Sequence, residues 1–295
     1  MKNLTFYIVD VFAEEKYAGN QLAVFRCEKV LSDAEMQRIA KEMNYSETTF
    51  VLSEEKQDGG YSVRIFTPEK ELPFAGHPTL GTAYVIQQEI VKEPVNTIAL
   101  NLKVGQIPVT FSYIEGHAGV LWMKQIQPTF GQTFDAELVS EVLRLDAKDI
   151  DNRFAIQEVS TGVPFIIVPL KTLDALKRAR IFRDKYFELI KDVQAKAMLI
   201  FCPETRAREN DLSVRVFADY YGVPEDPATG AANGCLAGYL VKNRYFRKEQ
   251  IDIRVEQGYE IGRPSLLLLR AKEEEGKIDV HVGGKVVMVA KGEFL

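Results

Sequence analysis

The sequence predicts a mixed α/β chain of the α+β class, made of two diverged copies of one unit. Each copy reads as a strongly curved, mostly antiparallel, barrel-like sheet around a central helix. Three observations carry that expectation. The pentapeptide S-V-R-I-F at 62–66 returns as S-V-R-V-F at 213–217 in a chain of 295 residues. Two helical segments lack a polar face, and a helix of that kind must be buried on every side. Apolar strand-like segments fill both halves between turn residues.

The repeat covers five elements in one order. Met36, Ile39, Ala40 and Met43 stand at the spacing of one helix face, and Tyr186, Leu189, Ile190 and Val193 repeat it. The short apolar strands T-T-F-V-L (48–52) and A-M-L-I-F (197–201) follow. Then come a polar loop, the S-V-R-x-F strand, a second loop and a small-residue helix. A-G-H-P-T-L-G-T-A (75–83) opens the first helix, expected from Pro78 to about Gln88. D-P-A-T-G-A-A (226–232) opens the second, expected from Pro227 to about Val241. Their small residues let surrounding strands approach closely. Upstream, D-V-F-A…G-N-Q-L-A-V-F (10–25) loosely mirrors E-V-S-T-G-V-P-F-I-I-V (158–168). Further strands are expected at 96–102, 106–114 and 119–124, and at 251–256, 265–271, 278–282 and 285–290. The glycines and Pro128 between Gly116 and Gly131 mark the domain boundary, giving domains of 1–118 and 119–282.

Composition narrows the function. An apolar content of 46% and a charged content of 27% describe an ordinary soluble globular chain. A net charge of −5 argues against a nucleic-acid surface. Cys27, Cys202 and Cys235 show no C-x-x-C or zinc spacing, so reduced thiols in the cytoplasm are expected. The run L-T-F-Y-I-V follows a single Lys2 and is broken by Asp10, unlike a secretory leader. No apolar run approaches the roughly eighteen residues of a membrane span. Dinucleotide, P-loop, zincin and nucleophile-elbow motifs are missing, and three scattered histidines make a metal site unexpected. Acid–base chemistry without metal or cofactor remains.

Glu47 in N-Y-S-E-T-T-F stands between a helix end and a strand, where desolvation can tune a general base. A plain surface-loop glutamate fits the same position. The second copy has Ala195, Lys196 and Ala197 there, with no carboxylate. His77 in A-G-H-P-T sits cap-like at a helix entrance, with Pro78 as the first helical residue. The N–H groups and dipole of that turn favour an anion. Asp226 precedes Pro227, and helix N-capping alone explains it. Gly230 and Ala231 offer backbone N–H groups at the second entrance, as Gly76 does at the first.

Four segments together resemble the PhzF-like isomerases of phenazine biosynthesis: G-N-Q-L-A-V-F, N-Y-S-E-T-T-F-V, P-F-A-G-H-P-T-L-G-T-A and E-D-P-A-T-G-A-A. The resemblance runs almost end to end. It implies the diaminopimelate epimerase-like fold, an active site between the domains, a C-terminal strand (283–295) that returns to the first domain, and a homodimer. The family's acid–base glutamate falls on Glu47, its active-site histidine on His77 and its aspartate on Asp226. Related epimerases and racemases carry two cysteines at the helix entrances, where Ala75 and Asp226 stand here, so one-base chemistry is expected. The phenazine enzyme has serine where this chain has Ala231.

The expected function is therefore isomerisation of a small carboxylic acid, its carboxylate held by Gly76, Gly230 and Ala231 while Glu47 moves a proton. Two alternatives stay open: an amino- or imino-acid epimerase or racemase, and a non-catalytic small-molecule-binding protein, toward which Ala231 leans.

Overall fold

The computed structural model describes residues 4–27 and 31–295; Lys2, used in the leader argument, lies outside them. The chain forms two compact units, Met1–Met123 with Gly283–Leu295, and Lys124–Val282. The division falls near the end of a strand at His117–Lys124, past residue 118, because that strand pairs with the one before it.

In the first unit the elements are β1 (Leu4–Val11), β2 (Asn20–Arg26), α1 (Asp33–Met43), β3 (Thr48–Val51), β4 (Tyr61–Phe66), β5 (Glu71–Leu72), α2 (Gly76–Ile86), β6 (Thr97–Leu102), β7 (Gly105–Ile114) and β8 (His117–Lys124). The last strand of the chain, Val286–Phe294, pairs antiparallel with β1. Strand β1 is antiparallel to β2, β2 parallel to β3, β3 antiparallel to β4, and β4 parallel to β6. Each parallel pair is bridged by a helix, since parallel strands need a crossover connection. Helix α1 opens with a capping box between Ser32 and Glu35 and closes on Asn44 in the left-handed region.

The second unit follows the same plan: β9 (Thr129–Phe134), α3 (Ala136–Leu143), β10 (Ile156–Ser160), β11 (Pro164–Pro169), α4 (Leu173–Arg178), α5 (Arg183–Leu189), β12 (Ala197–Cys202), β13 (Leu212–Ala218), β14 (Val223–Asp226), α6 (Gly230–Lys242), β15 (Gln250–Gln257), β16 (Ser265–Glu274) and β17 (Lys277–Gly284). The C-terminal strand is thus β18. Strand β10 is antiparallel to β11, β11 parallel to β12, β12 antiparallel to β13, and β13 parallel to β15. This is the pairing order of the first unit.

Helices α2 and α6 are buried along almost their whole length. Their glycines set the approach distance: a Cβ on Gly81 would lie 2.6 Å from Leu22 Cδ2, and one on Gly238 2.9 Å from Pro128 Cβ. A separate aromatic cluster in the first unit stacks Phe25 on Phe6 and on Phe50, with Phe294 edge-on to Phe25, beneath Met36 and Ala40 of α1. In the second unit Val139, Val142, Leu176 and Tyr186 from α3–α5 pack with Met198 and Ile200.

Three expectations are corrected. Helix α2 begins at Gly76 with Ala75 as N-cap, so His77 lies inside the first turn and Pro78 is its third residue. Proline is tolerated there because its missing N–H has no helical partner in any case. Helix α6 begins at Gly230 with Thr229 as N-cap; Asp226 ends β14 and is not the N-cap residue. Helix α5 stops at Leu189, short of Val193. No helix of the described residues is long and apolar enough to cross a membrane.

Candidate active site

In the first unit Glu47 and His77 come together. Glu47 directly precedes β3, and His77 stands in the first turn of α2. A buried hydroxyl pair, Thr49 to Thr82 at 2.8 Å, ties the strand to the helix. The Glu47 Oε2 and His77 Nε2 atoms then lie 3.4 Å apart, a contact slightly longer than a formed hydrogen bond. Burial pushes the His77 imidazole down to about 3, against the smaller opposing effect of a hydrogen bond to the Gln21 backbone. The ring is therefore neutral at neutral pH. With the Gln21 backbone bonded to the ring, Nε2 faces Glu47 and can accept a hydrogen bond from its protonated carboxyl. Gly76 and His77 also present N–H groups outside the helical ladder, which starts with Thr79 N donating to the Ala75 carbonyl.

In the second unit Asp226, Gly230 and Ala231 share one turn. Thr229 Oγ1 donates to Asp226 Oδ2. The helical ladder starts with Asn233 N donating to the Thr229 carbonyl at 3.1 Å, so the N–H groups of Gly230 and Ala231 lie outside it. The N-cap Thr229 makes no side-chain bond into helix α6, so the helix dipole is directed at the turn of Gly230 and Ala231. Among the described residues, no group of three or more His, Cys, Asp and Glu is arranged to hold a metal ion.

The sequence matches the family described as phenazine biosynthesis-like proteins, PhzC-PhzF, over residues 9–292. The chain belongs to the PhzF family. It is 36% identical to the trans-2,3-dihydro-3-hydroxyanthranilate isomerase of Pseudomonas aeruginosa over 289 residues, covering 97% of this chain and 98% of that one. An uncharacterized isomerase of Pasteurella multocida is 34% identical over 301 residues, covering 98% and 93%. The crystal structure of the Bacillus anthracis PhzF-family phenazine biosynthesis protein superposes with a TM-score of 0.91 at 28% identity, covering 100% of both chains. A probable proline racemase from Agrobacterium radiobacter shares the fold, with a TM-score of 0.66 at 10% identity and coverage of 99% and 93%. This PhzF-family chain is an isomerase with the epimerase-like fold.

Three supports of the PhzF-family turns escape sequence reasoning. Gln21 holds His77 through its backbone, which no side-chain motif signals. The Gln257 side chain, on β15, is hydrogen-bonded to the Asp226–Asn233 turn. The arginine of S-V-R-x-F clamps the hairpin that leads to each helix. Arg64 pairs bidentately with Glu71 (2.8 and 2.7 Å), and Arg215 with Glu225 (2.9 and 2.8 Å). The signal for these clamps was present: each repeated arginine precedes an acidic residue on the next short strand.

Proposed function

We propose that this chain isomerises a small carboxylic acid without a cofactor, using Glu47 as its single base. The Glu47 carboxylate takes a proton from an acidified carbon, and the electron pair left behind delocalises into the neighbouring π-system. The resulting carboxylic acid, whose proton exchanges with solvent, delivers a proton to a second carbon on the same face, so a double bond moves and Glu47 is regenerated. His77, neutral, hydrogen-bonds the substrate or the protonated carboxyl of Glu47. Asp226 binds an amino or hydroxyl group. The N–H groups of Gly76, Gly230 and Ala231 are assigned to the carboxylate.

One observation carries this assignment: Glu47 Oε2 lies 3.4 Å from the buried ring of His77. The second copy has Lys196 and Ala231 at the matching positions, so the pair exists once. The Pseudomonas aeruginosa relative is named for an acid bearing carboxylate, amino and hydroxyl groups, which fits the three kinds of donor and acceptor assigned here. We further place the enzyme in the cytoplasm, consistent with its three free, buried cysteines, and as a homodimer.

The test is deuterium incorporation in D₂O, followed by NMR, over a panel of amino and hydroxy acids that includes trans-2,3-dihydro-3-hydroxyanthranilate. A moved double bond with retained facial stereochemistry supports one base. Racemised product at a single carbon would overturn it, and binding without exchange would make the chain a binding protein.

A further inference from the structure

Gln257 is 1% exposed, and every hydrogen bond of its side chain goes to the turn that carries Asp226. Its Oε1 accepts from Thr229 N at 3.2 Å and from Asn233 Nδ2 at 2.9 Å. Its Nε2 donates to the Asp226 carbonyl at 2.8 Å and to Thr229 Oγ1 at 3.0 Å. The orientation of this amide is not free. A backbone N–H can only donate and a backbone carbonyl can only accept, so Thr229 N fixes the oxygen end and the Asp226 carbonyl fixes the nitrogen end. Asn233 is fixed in the same way, because its Nδ2 meets the Thr229 carbonyl at 3.0 Å.

A consequence follows for Thr229. Its hydroxyl has one hydrogen. Since Gln257 Nε2 already donates to Oγ1, that hydrogen must point elsewhere, and the neighbouring acceptor is Asp226 Oδ2. We propose that Gln257 is a positioning residue: it turns the Thr229 hydroxyl hydrogen onto the Asp226 carboxylate and so sets how that carboxylate faces its substrate. This rests on the assignment of Asp226 to substrate binding. Gly258, the next residue, supports the same device. Its φ is +79°, and a Cβ there would lie 2.2 Å from the Arg263 carbonyl oxygen and 2.6 Å from that of Pro227, so only glycine lets β15 end against this turn.

The test uses the full ¹⁵N-labelled chain and reads the Gln257 side-chain amide resonances, assigned by their loss in Gln257→Glu. Asp226→Asn should shift them through the hydroxyl. The same change in a Thr229→Val background should shift them clearly less, because only the bond from Nε2 to the Asp226 carbonyl is left. No shift in Asp226→Asn, or an equal shift with and without the hydroxyl, would overturn the proposal. Turnover of the acid that wild type exchanges gives the second arm. Thr229→Val should lower kcat by roughly ten- to a hundredfold with little change in KM, the cost of a misplaced group. Thr229→Ser, which keeps the hydroxyl, should restore most of it. Full kcat in Thr229→Val with loss in Asp226→Asn would reject the positioning role and leave Asp226 in place. Full kcat in Asp226→Asn would instead remove Asp226 from the reaction, while the amide shifts still decide the geometry. Should Gln257→Glu fail to fold, the Thr229 pair carries both arms, with the amide assigned through the backbone.

Discussion

At residue scale the two copies differ at the proposed base. Thr48 pairs with Ala23 at the start of β3, and Ala197 pairs with Phe165 at the start of β12. The residue before each strand is Glu47 in one copy and Lys196 in the other. Lys196 donates to the Ile190 carbonyl at the end of α5 and lies over the Tyr220 ring, so it has become a helix-end cation. Glu47→Gln should lower proton exchange by at least roughly 10²-fold. Lys196→Ala should leave exchange within about twofold of wild type, as expected away from the chemistry. His77 also predicts a pH effect. Its folded value of about 3 lies below the ordinary 6.5, so between these two values the unfolded chain binds the extra proton. The full contribution is present above pH 6.5, and stability falls as pH drops from there toward 3, by at most about 1.4 kcal/mol per pH unit. Denaturant titrations of wild type and His77→Asn across that window should show a shallower fall in the variant. Glu47 and His77 were legible as residue types beside a helix and a strand. The neutrality of His77 was not, because it depends on burial and on Gln21, far away in sequence.

The elements explain why the repeat outlived the divergence of its residues. The arginine of each S-V-R-x-F strand is an anchor that clamps the next short strand. Arg215 is nearly buried and also donates to the Leu176 and Ala179 carbonyls (2.8 and 2.9 Å), whereas the third donor of Arg64 reaches the exposed Asp33. Arg215→Ala strips the partner from a largely buried Glu225 and should cost about 3–5 kcal/mol. Arg64→Ala should cost less, since Asp33 is exposed and Glu71 keeps Lys103 as a partner. Guanidinium denaturation of both variants orders them. Gly238→Ala tests the packing of α6. Helix propensity favours alanine by about 1 kcal/mol, but the new methyl meets the rigid Pro128 ring, and overpacking costs about 1–3 kcal/mol. A net loss of stability is expected. The strands and both small-residue helices were legible because periodicity and apolarity are local properties. Strands β5, β9 and β14 were not: they are short or polar, and only their partners make them strands. The misplaced start of α6 has a similar cause. Asp-Pro is a sound local helix opening, but here Asp226 is taken up by β14 and Gln257 and the Pro227 carbonyl by Ser265, so the helix begins three residues later.

At the scale of the whole molecule, the first unit depends on chain from both ends. Strand β18 pairs with β1 along its length and brings Phe294 against Phe6 and Phe25. Removing residues 286–295 should expose that aromatic cluster, destabilise the first unit by several kcal/mol, and give a biphasic calorimetric trace in which the second unit melts near its original temperature. A single unshifted transition would show that β18 is dispensable. The sequence by itself determined the duplication, most of the strands, both small-residue helices, and the family, through its order of motifs. These live in short windows of chain, where spacing and residue type are enough. Only the tertiary structure decided that the repeated arginines are clamps, that His77 is neutral beside Glu47, and that Asp226 answers to Thr229 and Gln257 rather than to a helix start. Those facts need groups distant in sequence to meet at hydrogen-bonding distance in a dry interior, and strand register, which no local pattern reveals, sets that meeting.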